Sequence, residues 1–340
     1  MFDLHRRPLR NLRLSVTDRC NLRCSYCMPE EEYRWLPRER VLRFEETSRL
    51  VDLFLRAGVD KLRITGGEPL LRKDLTTLLR MLAGKPGVRE LAMTTNGVLL
   101  AEHAADLRGS GLHRLTVSLD TLDPATFRLL ARRDDLSRVL AGIDAATAAG
   151  FAGTKLDTVV IAGVNDREVA RLFAFARERG LEIRFIEYMD VGGATQWRPE
   201  RVVPRAQIVA AIQREFGTVT PVARTDSAPA ERFTTPDGTT FGVISSMTQP
   251  FCGTCDRARL TADGMWFLCL YALRGYDLGE LVRSGVADDL ILARIRAVWS
   301  GRDDRGAERR AADSTAERRP LAEPGHLRDN PHLEMHTRGG

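Results

Sequence analysis

The chain contains six cysteines, and they fall into two triplets. Cys20, Cys24 and Cys27 are spaced C-x3-C-x2-C, while Cys252, Cys255 and Cys269 are spaced C-x2-C-x13-C. Thiolates are the usual ligands of iron-sulfur clusters, and a cube of four irons held by three of them keeps one iron open to a ligand from outside the protein. A triplet is therefore a reactive arrangement. Zinc is the competing reading, because structural zinc sites close with four Cys or His ligands. No histidine lies near the second triplet in sequence, and for it both readings stay open. The spacing of the first triplet matches no common zinc pattern and points to iron-sulfur.

The first triplet follows a strand. Short β-branched runs at 12–16, 61–65, 91–95, 114–119, 155–161 and 182–187 alternate with stretches of helical period such as 44–55 and 166–179. In the latter, Val169, Leu172, Phe173 and Ala176 recur at i, i+3, i+4 and i+7. Alternating β and α units imply a parallel sheet, and chemistry on such sheets gathers at the carboxyl ends of the strands. The expected architecture is α/β, an incomplete (β/α)6 TIM-type barrel over residues 1–200. After residue 200 the rhythm changes to one helix at 205–216 and short alternating segments with turns at Pro236-Asp237-Gly238 and Ala262-Asp263-Gly264. Residues 201–340 are read as a smaller, mainly antiparallel extension packed on the barrel. The charge run 301–319 reads as solvated surface.

Composition narrows the function classes. With 340 residues, 43% hydrophobic and 29% charged, the chain is long enough for a sizeable core and is not globally disordered, collagenous or coiled coil. The net charge of +5 is too small and too dispersed to argue for a nucleic-acid partner, but it suits an anionic small molecule. No run of eighteen apolar residues occurs, so no membrane span is expected. The first residues lack the apolar run of a signal peptide, and the expected location is a reducing cytoplasm in which thiols stay free.

Residues 15–29, SVTDRCNLRCSYCMP, resemble the signature loop of the radical S-adenosylmethionine (SAM) superfamily, and residues 65–69, TGGEP, resemble its second motif. Residues 249–264, QPFCGTCDRARLTADG, together with Cys269 and the final Gly339 and Gly340, resemble one family within it. This is the MoaA family, the GTP 3′,8-cyclases of molybdenum cofactor biosynthesis. Two positions depart from that family's pattern: Asp256 stands where Asn is commoner, and Arg338 precedes the glycines where an apolar residue is usual.

The resemblance implies a set of roles. Cys20, Cys24 and Cys27 would hold a first 4Fe-4S cluster whose open iron binds SAM, and Tyr26, Gly67, Ser118 and Met189 would line the SAM pocket. Cys252, Cys255 and Cys269 would hold a second 4Fe-4S cluster that presents its open iron to the purine of GTP. Arg13, Arg63, Thr94, Lys155, Arg257, Ala258 and Arg259 would contact GTP, the guanidinium groups matching phosphate bidentately. A 5′-deoxyadenosyl radical would take hydrogen from ribose C3′, and that carbon would close onto guanine C8 to give 3′,8-cyclo-7,8-dihydro-GTP. Gly339 and Gly340 would thread into the cavity, with Arg338 meeting the anionic substrate. Cyclic pyranopterin monophosphate synthase would act next, the electron donor is unnamed, and the chain would be a monomer or homodimer. A radical SAM peptide maturase with an auxiliary cluster and a non-catalytic iron-sulfur protein are the alternatives.

Overall fold

The computed structural model describes residues 1–224, 226–312 and 321–339. Six strands follow one another in the first part: β1 (Asn11–Ser15), β2 (Lys61–Thr65), β3 (Glu90–Thr95), β4 (Arg114–Ser118), β5 (Lys155–Val160) and β6 (Glu182–Glu187). Six more follow: β7 (Thr220–Pro221), β8 (Glu231–Thr234), β9 (Thr240–Ile244), β10 (Arg257–Leu260), β11 (Met265–Phe267) and β12 (Tyr276–Asp277). Neighbouring strands β1 to β6 pair in parallel, in chain order, with helices between them.

The helices form because their apolar stripes have a face to cover. Helix Phe44–Ala57 buries Leu50, Leu53, Phe54 and Ala57, the i, i+3, i+4, i+7 set, and stops at Gly58, whose φ of 115° only glycine adopts cheaply. Helix Val169–Glu178 buries Val169, Leu172, Phe173 and Ala176, as its period predicts. On the strands, period two separates the environments. Leu12, Leu14, Leu62, Ile64, Leu91, Met93, Leu115 and Val117 enter one continuous hydrophobic layer with the helices. The alternate positions, among them Arg13, Arg63, Thr94 and Lys155, line a cavity instead. The interior is thus polar and hollow where an ordinary closed barrel is packed with branched side chains.

The region beyond residue 200 belongs to the same sheet. The order is β12-β11-β10-β1-β2-β3-β4-β5-β6-β9-β8-β7. Its internal pairings, β7 with β8, β8 with β9, β10 with β11 and β11 with β12, are antiparallel, as expected. What periodicity could not foretell is that β10 joins β1 and β9 joins β6 in parallel. Each barrel edge would otherwise present unpaired N–H and C=O groups, and each receives a partner from the extension. The sheet stays open between β12 and β7. No helix among the described residues is long and apolar enough to cross a membrane.

The loops after β1 and β2 lie backbone against backbone. The amide of Gly67 donates to Thr17 O at 2.8 Å and that of Glu68 to Arg19 O at 2.7 Å. A Cβ on Gly67 would overlap Arg19 O and sit 2.7 Å from Asp18 O. Glycine is required here by the neighbouring loop, in addition to any ligand. We expect Gly67→Ala to destabilise the fold by ~1–3 kcal/mol, the usual range for overpacking, read as a lower urea midpoint at unchanged slope.

Candidate active site

A cavity of about 690 Å³ runs through the barrel and is lined by all six cysteines. That volume lies in the usual range for small-molecule sites. The first triplet sits beyond the carboxyl end of β1. Cys252 and Cys255 precede the amino end of β10, which runs parallel to β1, so the two triplets lie towards opposite ends of the strands.

Around the first triplet, Tyr26, Gly66, Gly67, Ser118 and Met189 all line the cavity. The Tyr26 hydroxyl donates to Asp120 Oδ2 at 2.7 Å, and Asp120 Oδ1 accepts from the Val159 amide at 2.9 Å. Asn96 Nδ2 approaches Cys20 Sγ at 3.8 Å. Glu68, from the second motif, is fully buried and outside the cavity lining. Its oxygens accept from the Leu70 amide at 3.0 Å, the Thr95 hydroxyl at 2.7 Å and the Asn96 amide at 2.7 Å. Burial pushes its carboxyl up to about 7, while those three donors pull the other way. Glu68 therefore fastens the loops after β2 and β3 together beneath the first triplet.

Between the triplets lies a row of cations set by strand register. Arg13 pairs in register with Arg259 on one side and Arg63 on the other. Arg63 Nη1 donates to Thr94 Oγ1 at 3.2 Å and Thr116 Oγ1 at 3.0 Å. Burial first, then the charges of Arg259, Arg63 and Arg257, hold the Arg13 guanidinium well below its ordinary range. Burial and Arg257 lower Arg259 to about 10. Positive charges crowded in a low dielectric make a strong site for a polyanion. Lys155 differs, because its Nζ is paired with Glu182 Oε1 at 2.6 Å. Ala258 faces the other way from its neighbours, into the hydrophobic layer.

Arg257 Nη2 reaches Cys255 Sγ at 3.5 Å, and its guanidinium lies 4.9 Å from the Phe251 ring. Burial raises the Cys255 thiol, but Arg257 and Arg302 outweigh it and bring it down to about 7.

The last described residues enter the barrel. Arg13 Nε donates to Gly339 O at 3.0 Å and Arg259 Nη1 to the same oxygen at 2.5 Å. Gly339 has a φ of 68°, and a Cβ on it would overlap Thr65 Oγ1. Only glycine fits there; Gly340 lies outside the described residues. Arg338 does not meet the cavity as expected. Its guanidinium donates to the carbonyls of His332, Leu270 and Ala272 at 2.5, 2.7 and 2.6 Å and lies 4.0 Å from the Phe267 ring. The charge that departs from the family pattern is thus bound by backbone, and the tail passes it by.

Several lining residues escape a reading by motif. Asn11, Asp120, Asp157 and Arg184 all line the cavity. The available signal was the strand alternation that also carries Arg13, Arg63 and Lys155, since each sits at an inward position or just past a strand end.

The donor set suits iron-sulfur clusters. All six thiols are free. Burial, and then the charges of neighbouring acidic groups and thiols, raise Cys24 and Cys27 far above the ordinary range, so three thiolates share this pocket only with a cationic centre among them. Among the described residues no group of three or more His, Cys, Asp or Glu is arranged around a single ion.

Comparison with known proteins agrees. The profile of the radical SAM superfamily matches residues 14–176, and that named Molybdenum Cofactor Synthesis C matches residues 181–308. "GTP 3′,8-cyclase 1" of Mycobacterium tuberculosis is 52% identical over 342 residues, spanning 99% of this chain and 95% of that protein. The "GTP 3′,8-cyclase" of Acidothermus cellulolyticus is 53% identical over 322 residues, 92% of this chain and 89% of the relative. That of Staphylococcus aureus is 39% identical over 319 residues, 92% and 94% respectively. Among solved structures, Streptococcus suis SuiB bound to S-adenosylmethionine superposes with a TM-score of 0.58 at 17% identity, over 86% of this chain and 68% of that one, a likeness of fold. The chain belongs to the radical SAM superfamily and, within it, to the GTP 3′,8-cyclase family.

Proposed function

We propose that this chain is a radical SAM GTP 3′,8-cyclase, a lyase that abstracts hydrogen from ribose C3′ of GTP and closes that carbon onto guanine C8, the first step of molybdenum cofactor biosynthesis. The observation that carries this reading is one cavity with a cysteine triplet towards each end and a row of guanidinium groups between them. Cys20, Cys24 and Cys27 hold one 4Fe-4S cluster and Cys252, Cys255 and Cys269 the other. When bound, the first cluster supplies the electron that converts SAM to a 5′-deoxyadenosyl radical, and the second offers an open iron to the purine.

The chain's own residues do the positioning. Tyr26, fixed by Asp120, together with Ser118, Met189 and the Gly66-Gly67 loop, lines the SAM side. Arg13, Arg63, Arg257 and Arg259 bind the triphosphate, with Thr94 holding Arg63; Lys155 contributes charge tempered by Glu182. Holding C3′ and C8 near contact is the main task, because orientation alone removes much of the barrier to ring closure. The tail sets Gly339 O on Arg13 and Arg259 inside the barrel. Residues 1–200 supply the radical source, and residues 201–340 the substrate anchor and the tail. Free thiols suit a reducing compartment, here the cytoplasm. The cyclised nucleotide passes to cyclic pyranopterin monophosphate synthase.

Four experiments test this reading. Anaerobic reconstitution should give about eight irons and eight sulfides per chain. Cys24→Ala should abolish SAM cleavage, while Cys255→Ala should keep uncoupled 5′-deoxyadenosine formation and lose the cyclised nucleotide; equal loss of both contradicts the division of labour. Calorimetry should show Arg257→Ala weakening GTP binding by ~1.5–3 kcal/mol, the scale of a hydrogen bond to a charged group, with guanosine binding far more weakly than GTP to the unmodified protein. Deleting Gly339 and Gly340 should leave iron content and SAM cleavage largely intact but suppress cyclisation, and full-rate product from the truncated protein would refute a role for the tail.

A further inference from the structure

Behind the second triplet, outside the cavity lining, the chain's first residues meet the segment after helix Asp288–Ser300. Asp3, Arg7 and Arg302 are buried there together. Asp3 Oδ2 accepts from Arg7 Nε at 2.6 Å and from Arg302 Nη1 at 3.3 Å, while Oδ1 accepts from the amides of His5 and Arg7, both at 2.9 Å. The two guanidinium groups then turn to the cysteine segment. Arg7 Nη1 donates to Cys252 O at 2.9 Å and to Asp304 O at 2.7 Å. Arg302 Nη1 donates to Cys255 O at 2.8 Å, and its Nη2 lies 3.6 Å from Cys255 Sγ. Trp299 backs the assembly: its ring lies 4.5 Å from the Arg302 guanidinium, and its Nε1 donates to Arg7 O at 3.3 Å.

Two guanidinium groups share one carboxylate that is wholly buried, and Asp304 stands only at 3.9 Å from Arg302 Nε, part-exposed. Surplus positive charge therefore faces Cys255 Sγ from the rear, opposite Arg257 at 3.5 Å on the cavity side. Asp3 and Arg7 also fall before residue 14, outside both matched profiles. Hydrogen bonds and charge next to a cluster thiolate favour the more negative, reduced state.

We infer that Asp3, Arg7 and Arg302 form a buried positioning unit that fixes Cys252 and Cys255 and raises the reduction potential of the cluster they hold. The inference rests on the second triplet holding a 4Fe-4S cluster. Arg302 is a positioning residue that acts on the cluster through Cys255 from outside the cavity, whereas Arg257 reaches the same sulfur from the cavity it lines.

The test is a redox titration, followed by electron paramagnetic resonance, of full-length protein reconstituted with iron and sulfide in a Cys24→Ala background, so that the second cluster is read alone. Arg302→Gln should keep four irons per chain but lower the reduced-to-oxidised ratio at fixed potential at least tenfold, which is 59 mV for a one-electron couple, and Arg302→Lys should restore most of it. Asp3→Asn, which removes negative charge, should move the potential upward. Opposite signs distinguish electrostatic control from simple loosening, which shifts both variants alike. An unmoved potential with four irons in place overturns the inference and spares the ligand assignment; zinc, or fewer than four irons, in the protein with Arg302 intact overturns the assignment itself. If Arg302→Gln fails to fold, the Asp3→Asn shift decides, and a fall or no change refutes the proposal.

Discussion

Like charges held together inside a barrel are the constraint on which the rest of this structure depends. Strand register sets Arg259, Arg13 and Arg63 side by side, and partial burial weakens the screening that bulk water would give them. Such an arrangement is unfavourable alone. It persists because the hydrophobic layer outside the sheet, with Leu12, Leu14, Leu62 and Ile64 at the alternate positions of β1 and β2, fixes which way the arginines point. The stability of the outer layer thus holds the electrostatic strain of the inner one.

The second organising feature is backbone proximity. Gly67 lies against the loop of the first triplet, and a Cβ on Gly193 would overlap Cys27 O on that loop's far side. Between them Glu68 ties the loops after β2 and β3 through three hydrogen bonds. The loop of the first triplet is consequently held by close main-chain contact at Gly67 and at Gly193. A radical source needs this rigidity, since small displacements of reacting atoms cost large factors in rate.

Much of this was legible in the residues, and for a physical reason. Strands β1 to β6 fall within a residue or so of the expected runs because each alternates a helix-facing apolar residue with a lumen-facing polar one, a pattern that local sequence carries in full. The cysteine spacings were equally local. What escaped was non-local. The parallel pairing of β10 with β1 depends on Asn11 and Asp256 meeting across 245 residues of sequence, where a four-residue strand of Arg-Ala-Arg-Leu gives no hint of its partner. Arg338 read as a ligand for an anion because charge next to a predicted cavity invites that reading. Only the fold shows three carbonyls already waiting for it. Asp120, Asp157 and Arg184 belong to no motif, and only the fold shows that they line the cavity.

The pairing of β1 with β10 also governs when the site comes into being. A chain emerging from the ribosome presents β1 as an open sheet edge until β10 has been made, and loop closure over such a distance makes that step late and slow. The residues after Glu334 arrive later still, and it is Met335 and His336 that line the cavity beside the first triplet. An incomplete chain thus has its first three thiols but neither the opposite edge of the barrel nor its closing segment. Synthesis order thus makes the radical source first and the strand and segment that enclose it last.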